Sequence, residues 1–372
     1  MKLESILVVG GGIGGLTAAI ALRRKGYPVE IIEKDAEWSV HGVGIIQQFN
    51  VLRAMASLDL LDAYLDKAFG FDRTTLFGPD GSRIAAFDTP RLAGPDYPSN
   101  AGIKRTDLQR VLADRAQGLG ATVRLGLTAD RLEDDGAGVD VVFSDGSRGR
   151  YDIVIGADGI YSRTREQILP EAPPPRYTGQ WVWRYNLPKP SDLDGIHVYY
   201  GRCNAGLVPL GEDLMYMFLL SQEPPGMKLA TEGSAAAMRQ RAAGAAPRIA
   251  ELTAWVTDDA GVVGRPLEVV FLHGDWHRGR IVLLGDAVHG GTPHLAQGAG
   301  MAIEDAIVLA EELEAGETPQ AAFSAYRARR FERAEFIFIN SVRLGDAQMG
   351  KIAGVDAGDV NRRTIELVAE PI

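Results

Sequence analysis

Ile6-Leu7-Val8-Val9-Gly10-Gly11-Gly12-Ile13-Gly14-Gly15: four apolar residues run straight into a cluster of glycines. A buried parallel strand that ends in a tight turn reads this way. Beyond it, Ile13, Leu16, Ile20 and Ala21 recur at helical spacing up to Lys25, and Gly26 stops the helix. Val29 to Ile32 reads as a second strand, closed by Glu33. Strand, helix and strand within about 30 residues make a βαβ unit. Gly10, Gly12 and Gly15 fit the G-x-G-x-x-G spacing, with Gly14 inside the same turn. Such glycines let a pyrophosphate approach the backbone, and the helix N-terminus behind them supplies amide donors and a positive dipole. Glu33 lies where a carboxylate bonds a ribose diol, which favours FAD or NAD over NADP.

Outward from this unit, length and composition set the frame. The 372 residues suggest about two domains, and 46% hydrophobic with 24% charged residues is ordinary for a globular protein. A disordered or fibrous chain is excluded. With 39 Lys+Arg against 49 Asp+Glu, the chain is acidic, which argues against nucleic acid as the main partner. An anionic small molecule needs only a few local arginines. Cys203 is the single cysteine, so neither an internal disulfide nor a cysteine-based zinc site can form, and a reducing compartment is expected. No apolar run reaches the roughly 18 residues of a membrane span. Ile6 to Leu22 is interrupted by five glycines and followed by Arg23-Arg24-Lys25, unlike a signal peptide. The expectation is a mature cytoplasmic protein.

Further along, Tyr151 to Ile155 and Ile281 to Leu284 read as buried strands. The motif Gly156-Ala157-Asp158-Gly159 follows the first, and Gly285-Asp286-Ala287 follows the second. An aspartate in such a place is either a ligand to a cofactor or a helix cap. Helical patterns run from about Gly298 to Ala315 and from Pro319 to about Leu344. Residues 72–99 and 176–271 carry shorter alternating runs, and four of the five tryptophans lie between Trp181 and Trp276. This predicts an antiparallel sheet with an aromatic, methionine-rich face, inserted into a dinucleotide fold whose strands lie on both sides. The segment 230–249 reads as a surface helix with a loop. The expected division is α/β: 1–71, 100–175 and 272–347 in the dinucleotide domain, 72–99 and 176–271 in a substrate domain, and 348–372 as a C-terminal tail.

The glycine fingerprint, the Asp158-Gly159 pair and the Gly285-Asp286 pair, in that order, resemble the single-component FAD-dependent aromatic hydroxylases, the para-hydroxybenzoate hydroxylase-like group, over residues 3–340. The resemblance implies a Rossmann-like FAD domain and a reaction in which NADH or NADPH reduces the flavin. O2 then adds as a C4a-hydroperoxide, and an electron-rich aromatic or heteroaromatic ring takes one oxygen. It also implies site residues. Glu33 and Lys34 belong at the adenosine ribose, the Ala129 backbone near adenine, and Arg105 near the ribityl and phosphate groups. Asp158 and Asp286 match the group's two aspartate motifs. Pro293, His294, Gln297, Gly298, Ala299, Gly300 and Met301 resemble the loop beneath the isoalloxazine. A helix headed by amides there would stabilise negative charge on reduced flavin. Gly42-Val43-Gly44-Ile45-Ile46, with Gly44 and Ile46, matches the mobile-flavin loop opposite.

Departures keep the substrate open. Ala296-Gln297-Gly298 is closer to the salicylate and 6-hydroxynicotinate hydroxylase branch, but Ile46 replaces the hydroxynicotinate enzyme's loop histidine. Tyr216 matches a urate hydroxylase tyrosine, whereas Asn204 stands where that enzyme has arginine. With no second glycine fingerprint, the nicotinamide donor has no domain of its own. Three residues are expected at the substrate. His294 is either a general base on a ring hydroxyl or a structural histidine. Tyr216 either orients or deprotonates substrate or packs in the core, and Arg184 either anchors an anion or has a surface or domain-bridging role. Of the histidines 41, 197, 273, 277, 289 and 294 only His273 and His277 stand four apart, and they flank Gly274-Asp275, which reads as a loop, so no metal site is expected. Trp181-Val182-Trp183 resembles the W-x-W of flavin halogenases, a rival reading beside a related reductase and a non-catalytic flavin protein. A homodimer is compatible with the sequence.

Overall fold

The Ile6–Val9 strand lies in the middle of a six-stranded sheet, parallel to Ile153–Gly156 on one side and to Val29–Glu33 on the other. A computed structural model describes residues 1–39 and 42–372, so His41 lies outside the described residues. Thr122–Leu125 extends this sheet past Val29–Glu33, and Ile281–Leu283 extends it past Ile153–Gly156. The two-residue strand His277–Arg278 closes that edge antiparallel. Every residue of Ile6–Val9 is buried, as a strand covered on both faces must be. The helix Ile13–Arg24 packs against Arg105–Gly118 and Gly298–Ala315, which is why Leu16 to Leu22 are all buried and the helix has no wide polar face. The run expected as one strand from Tyr151 to Ile155 is two, Arg148–Tyr151 and Ile153–Gly156. They part at Asp152, whose carboxylate accepts the Ser5 N–H at 3.0 Å.

Residues 72–99 and 176–271 supply a seven-stranded sheet in the order Val263–Val269, Arg176–Pro188, Leu214–Gln222, Asn204–Pro209, Ile196–Tyr199, Arg73–Phe77, Arg83–Asp88. Its pairings are antiparallel except that between Ile196–Tyr199 and Arg73–Phe77. Side chains alternate between its faces. Trp181, Trp183, Met215, Met217 and Leu219 pack beneath the helices Ser234–Arg241 and Pro247–Thr253, through Met238 and Ile249. The aromatic, methionine-rich face is therefore core, and the segment 230–249 covers it. The intervening residues Val182, Arg184, Tyr216, Phe218 and Leu220 face a cavity. A small sheet of Gly44–Gln47, Asn100–Lys104 and Ala68–Phe71 joins the two large ones.

The helix Gly298–Ala315 has the bounds expected, and Pro319–Gln348 runs one turn past Leu344. The segment 348–372 departs from the expectation of a tail. It contains a helix, Ala357–Ala369, capped by Asp356 through the Asp359 N–H at 3.0 Å and seated on buried Val360, Thr364 and Val368.

Candidate active site

The fingerprint turn is built by close backbone contacts. A Cβ on Gly15 would lie 1.9 Å from the Gly10 carbonyl oxygen. One on Gly10, whose φ is 111°, would lie 2.4 Å from that of Ala157. Only glycine fits at either place. At Gly12, the residue preceding the helix, no atom comes within 4 Å of such a Cβ, leaving the approach to the helix N-terminus open. Glu33 lines the same cavity. Its carboxylate accepts the N–H of Gly11 at 2.8 Å and that of Asp35 at 3.0 Å. Trp38 Nε1 and Gln109 Nε2 both donate to the Gly11 carbonyl, at 3.0 and 2.6 Å. Sequence reasoning missed both. Gln109 lies one helical turn after Arg105, so the spacing that turns one side chain to the cavity turns the other.

Two motifs meet beyond the strand ends. The Asp158 carboxylate is taken up by its own loop, accepting from Ser162 Oγ at 2.5 Å and from Thr164 N and Oγ1 at 2.9 and 3.0 Å. Of the alternatives for Asp158 the geometry favours the capping one, and the cavity receives its neighbours Ala157 and Gly159 instead. Buried Arg165 ties this loop to the other motif, donating to the carbonyls of Ile160 at 2.8 Å and Ala287 at 2.9 Å. Asp286 opens into the cavity. Burial raises its pKa, against the pull of His289 and Arg105. Lys34 is exposed, and Ala129 is buried with its carbonyl on Gln167 Nε2 at 3.0 Å; neither reaches the cavity lining.

Pro293, His294, Gly298 and Ala299 line the cavity, so the helix Gly298–Ala315 points its N-terminus into it. Gln297, Gly300 and Met301 face the other way. Asn50 Nδ2 donates to Gln297 Oε1 at 3.0 Å and to Glu304 Oε1 at 2.9 Å, and Gln297 Nε2 reaches Gln48 and Asn50. These three residues hold the loop from behind. His294 is bonded through both ring nitrogens, Nδ1 to Thr292 Oγ1 at 2.9 Å and Nε2 to Gln348 Oε1 at 3.0 Å. Burial pushes its pKa down to about 4. An imidazole with both nitrogens engaged and so low a pKa is a poor base toward a phenol, so the structural alternative fits His294 better.

Gly44 and Ile46 form the opposite wall. A Cβ on Gly44 would come within 2.6 Å of the Tyr216 ring, which therefore packs directly on the strand Gly44–Gln47. Tyr216, Arg184 and Arg105 all line this part of the cavity and feel one another's charge. Burial lowers the Arg184 pKa to about 10, and Arg105 pushes it the same way. Burial raises that of Tyr216, keeping the phenol neutral. Among the described residues neither guanidinium has a hydrogen-bond or ion-pair partner, although both are desolvated. Two half-buried guanidiniums in one cavity, without a side-chain partner among the described residues, are suited to receive anions. A site with an open helix N-terminus, a carboxylate at the end of the second strand, a cationic wall and a second helix N-terminus fits FAD.

Comparison with known proteins agrees. Aurachin C monooxygenase/isomerase of Stigmatella aurantiaca is 31% identical over 348 residues, covering 92% of this chain and 88% of that protein. The 3-hydroxybenzoate 6-hydroxylase of Polaromonas naphthalenivorans is 31% identical over 359 residues, covering 91% and 87%. The crystal structure of Klebsiella pneumoniae HpxO complexed with FAD and uric acid superposes with a TM-score of 0.84 at 27% identity, over 99% of this chain and 93% of that one. The FAD binding domain family matches residues 4–341, and the chain belongs to it.

Proposed function

We propose that the chain is an FAD-dependent monooxygenase that places one oxygen atom from O2 on an anionic aromatic or heteroaromatic ring, with NADH or NADPH as electron donor. The observation that carries the substrate reading is Arg184, a half-buried guanidinium without a side-chain partner among the described residues, which lines the same cavity as Pro293, His294, Gly298 and Ala299. FAD, when bound, would supply the redox chemistry between the donor and O2.

The protein's share is positioning and shielding. Arg184 holds an anionic group of the substrate, and its fork favours a carboxylate or an enolate pair. Tyr216, a neutral phenol, donates a hydrogen bond to a ring oxygen and fixes the ring's orientation. Val182, Phe218 and Leu220 make the surrounding sheet apolar and keep water from the reacting centre. On the other side, the N-terminus of Gly298–Ala315 stabilises negative charge that gathers on the bound cofactor. Arg105 and Asp286, which line the cavity, would hold its ribityl and phosphate portion, and Glu33 would face the far ribose. The halogenase alternative finds no support here, since Trp181 and Trp183 lie in the core beneath the covering helices.

Titration of the FAD-loaded protein with 2-hydroxybenzoate and with phenol, followed by the flavin absorbance, tests the anchor. The acid should bind more tightly, and Arg184→Met should weaken it by roughly 10- to 100-fold while leaving phenol within a factor of about two. Equal weakening for both compounds, or none, contradicts the reading.

A further inference from the structure

The helix Ala357–Ala369 presents Ala357, Asn361, Thr364 and Ile365 to the cavity, positions spaced four, seven and eight apart and so on one helical face. Val360 and Val368 pack with Ile337, Leu344 and Phe49, and Ala357 and Ile365, half-buried, lean on the same cluster while the rest of their surface lines the cavity. The helix's C-terminal end is gripped from the FAD-binding side. Arg53 donates to the carbonyls of Val368, Ala369 and Glu370 at 3.1, 2.8 and 2.8 Å. Arg333 reaches those of Glu370 and Pro371 at 3.2 and 2.8 Å, and Arg329 that of Ile372 at 2.9 Å. These arginines satisfy carbonyls that a helix end leaves unpaired and complement its dipole. The helix is thus a fixed wall of the site.

The seven-stranded sheet supplies another wall. Val182, Leu220 and Leu267, with Phe218, form an apolar cluster on its cavity side. Arg184 pairs directly across the sheet with Phe218, and Val182 with Leu220, so the cation and the apolar band occupy adjacent rows. A ring held at Arg184 lies beside Phe218, while Val182, Leu220 and Leu267 further along the band, and the open part of Ile365 in the same cavity, remain for another part of the ligand to cover. Apolar surface lining a cavity gains most when an apolar group covers it.

We infer that the C-terminal helix is a specificity element, with Ile365 and Asn361 as its reading residues, and that the substrate is an anionic aromatic bearing an extended apolar substituent. The substituent runs from the ring along the Val182–Leu220–Leu267 band and meets Ile365. Asn361 selects for a polar atom at its far end. This rests on the anionic-aromatic reading of the same site.

The test measures Kd for 2-hydroxybenzoate and its 4-butyl and 4-hexyl homologues on the FAD-loaded full-length chain, read by flavin absorbance. Full burial improves affinity about fourfold per methylene, so the hexyl compound should bind at least about tenfold more tightly than the parent acid. Ile365→Glu should remove most of that ratio. Ile365→Trp, which keeps the helix's apolar character, should spare the butyl gain and curtail the hexyl one. Using ratios within each variant keeps a general loss of binding from imitating the effect. A flat series with the parent acid still bound overturns the inference alone, as does an unchanged ratio in both variants. No binding of any of the acids by FAD-loaded protein overturns the anionic-aromatic reading, and the inference with it.

Discussion

His294 shows how position and chemistry separate at the scale of one residue. It lies beside Pro293 on the cavity wall, yet Thr292 and Gln348 occupy both ring nitrogens and burial holds its pKa at about 4. The unfolded chain's histidine titrates near 6.5, so between that value and about 4 the unfolded state binds a proton that the native state refuses. Stability attributable to this group is whole above about pH 6.5 and drains away as pH falls. His294→Gln should therefore flatten the fall in Tm between pH 6.5 and 4 and leave the pH dependence of turnover between 6 and 8 unmoved. A turnover profile that loses its acidic limb in this variant would restore His294 as the base. Arg184 and Tyr216 show the reverse. Alternation in the sequence put them on their strands, but their meeting with Arg105 depends on a contact between two sheets, which no local pattern encodes.

At the scale of elements, the fingerprint was legible because its constraint is local. Glycines at a tight strand–helix turn are demanded by atoms a few residues away, and the 1.9 Å clash at Gly15 is with Gly10 itself. Gly298–Ala315 was legible for the same reason, through its periodicity. What holds that helix was not. Glu304 and Asp305 are buried beside Arg330, with Arg330 Nη1 2.7 Å from Glu304 Oε2 and Nε 2.8 Å from Asp305 Oδ1. His289 joins Asp305 at 2.6 Å. Burial alone would raise the Asp305 pKa, but His289 and Arg330 pull it down to about 2. Removing Arg330 leaves two buried carboxylates without the cation they share, with Asn50 and Arg333 still on Glu304 and His289 and the Gly285 N–H still on Asp305. Arg330→Met is expected to lower unfolding stability by about 3–5 kcal/mol in urea titration. A change below about 1 kcal/mol would mean that the helix pair Gly298–Ala315 and Pro319–Gln348 rests on its apolar contacts alone.

Across the whole molecule, interruption of one fold by another was readable from texture: short alternating runs between buried parallel strands. The sequence placed an aromatic, methionine-rich face at 176–271 but could not say whether helices or a ligand covered it. Residues 234–253 cover it, and the more mixed opposite face receives the cavity. The last 25 residues looked like a tail because their helix has few apolar residues, and its partners, Arg53 and Arg333, are far away in the chain. A chain with net charge −10 nevertheless places Arg105 and Arg184, without side-chain partners among the described residues, in one cavity, so an acidic protein can receive an anion there. The central claim is oxygen transfer to an aromatic ring. The most direct measurement is the product mass formed under 18O2 by FAD-loaded protein with NADH or NADPH and a panel of hydroxylated aromatic and heteroaromatic acids. The account predicts that a compound accelerating donor oxidation gains one labelled oxygen atom. Donor oxidation that ends only in peroxide for every acid, or product oxygen that comes from water, would contradict it.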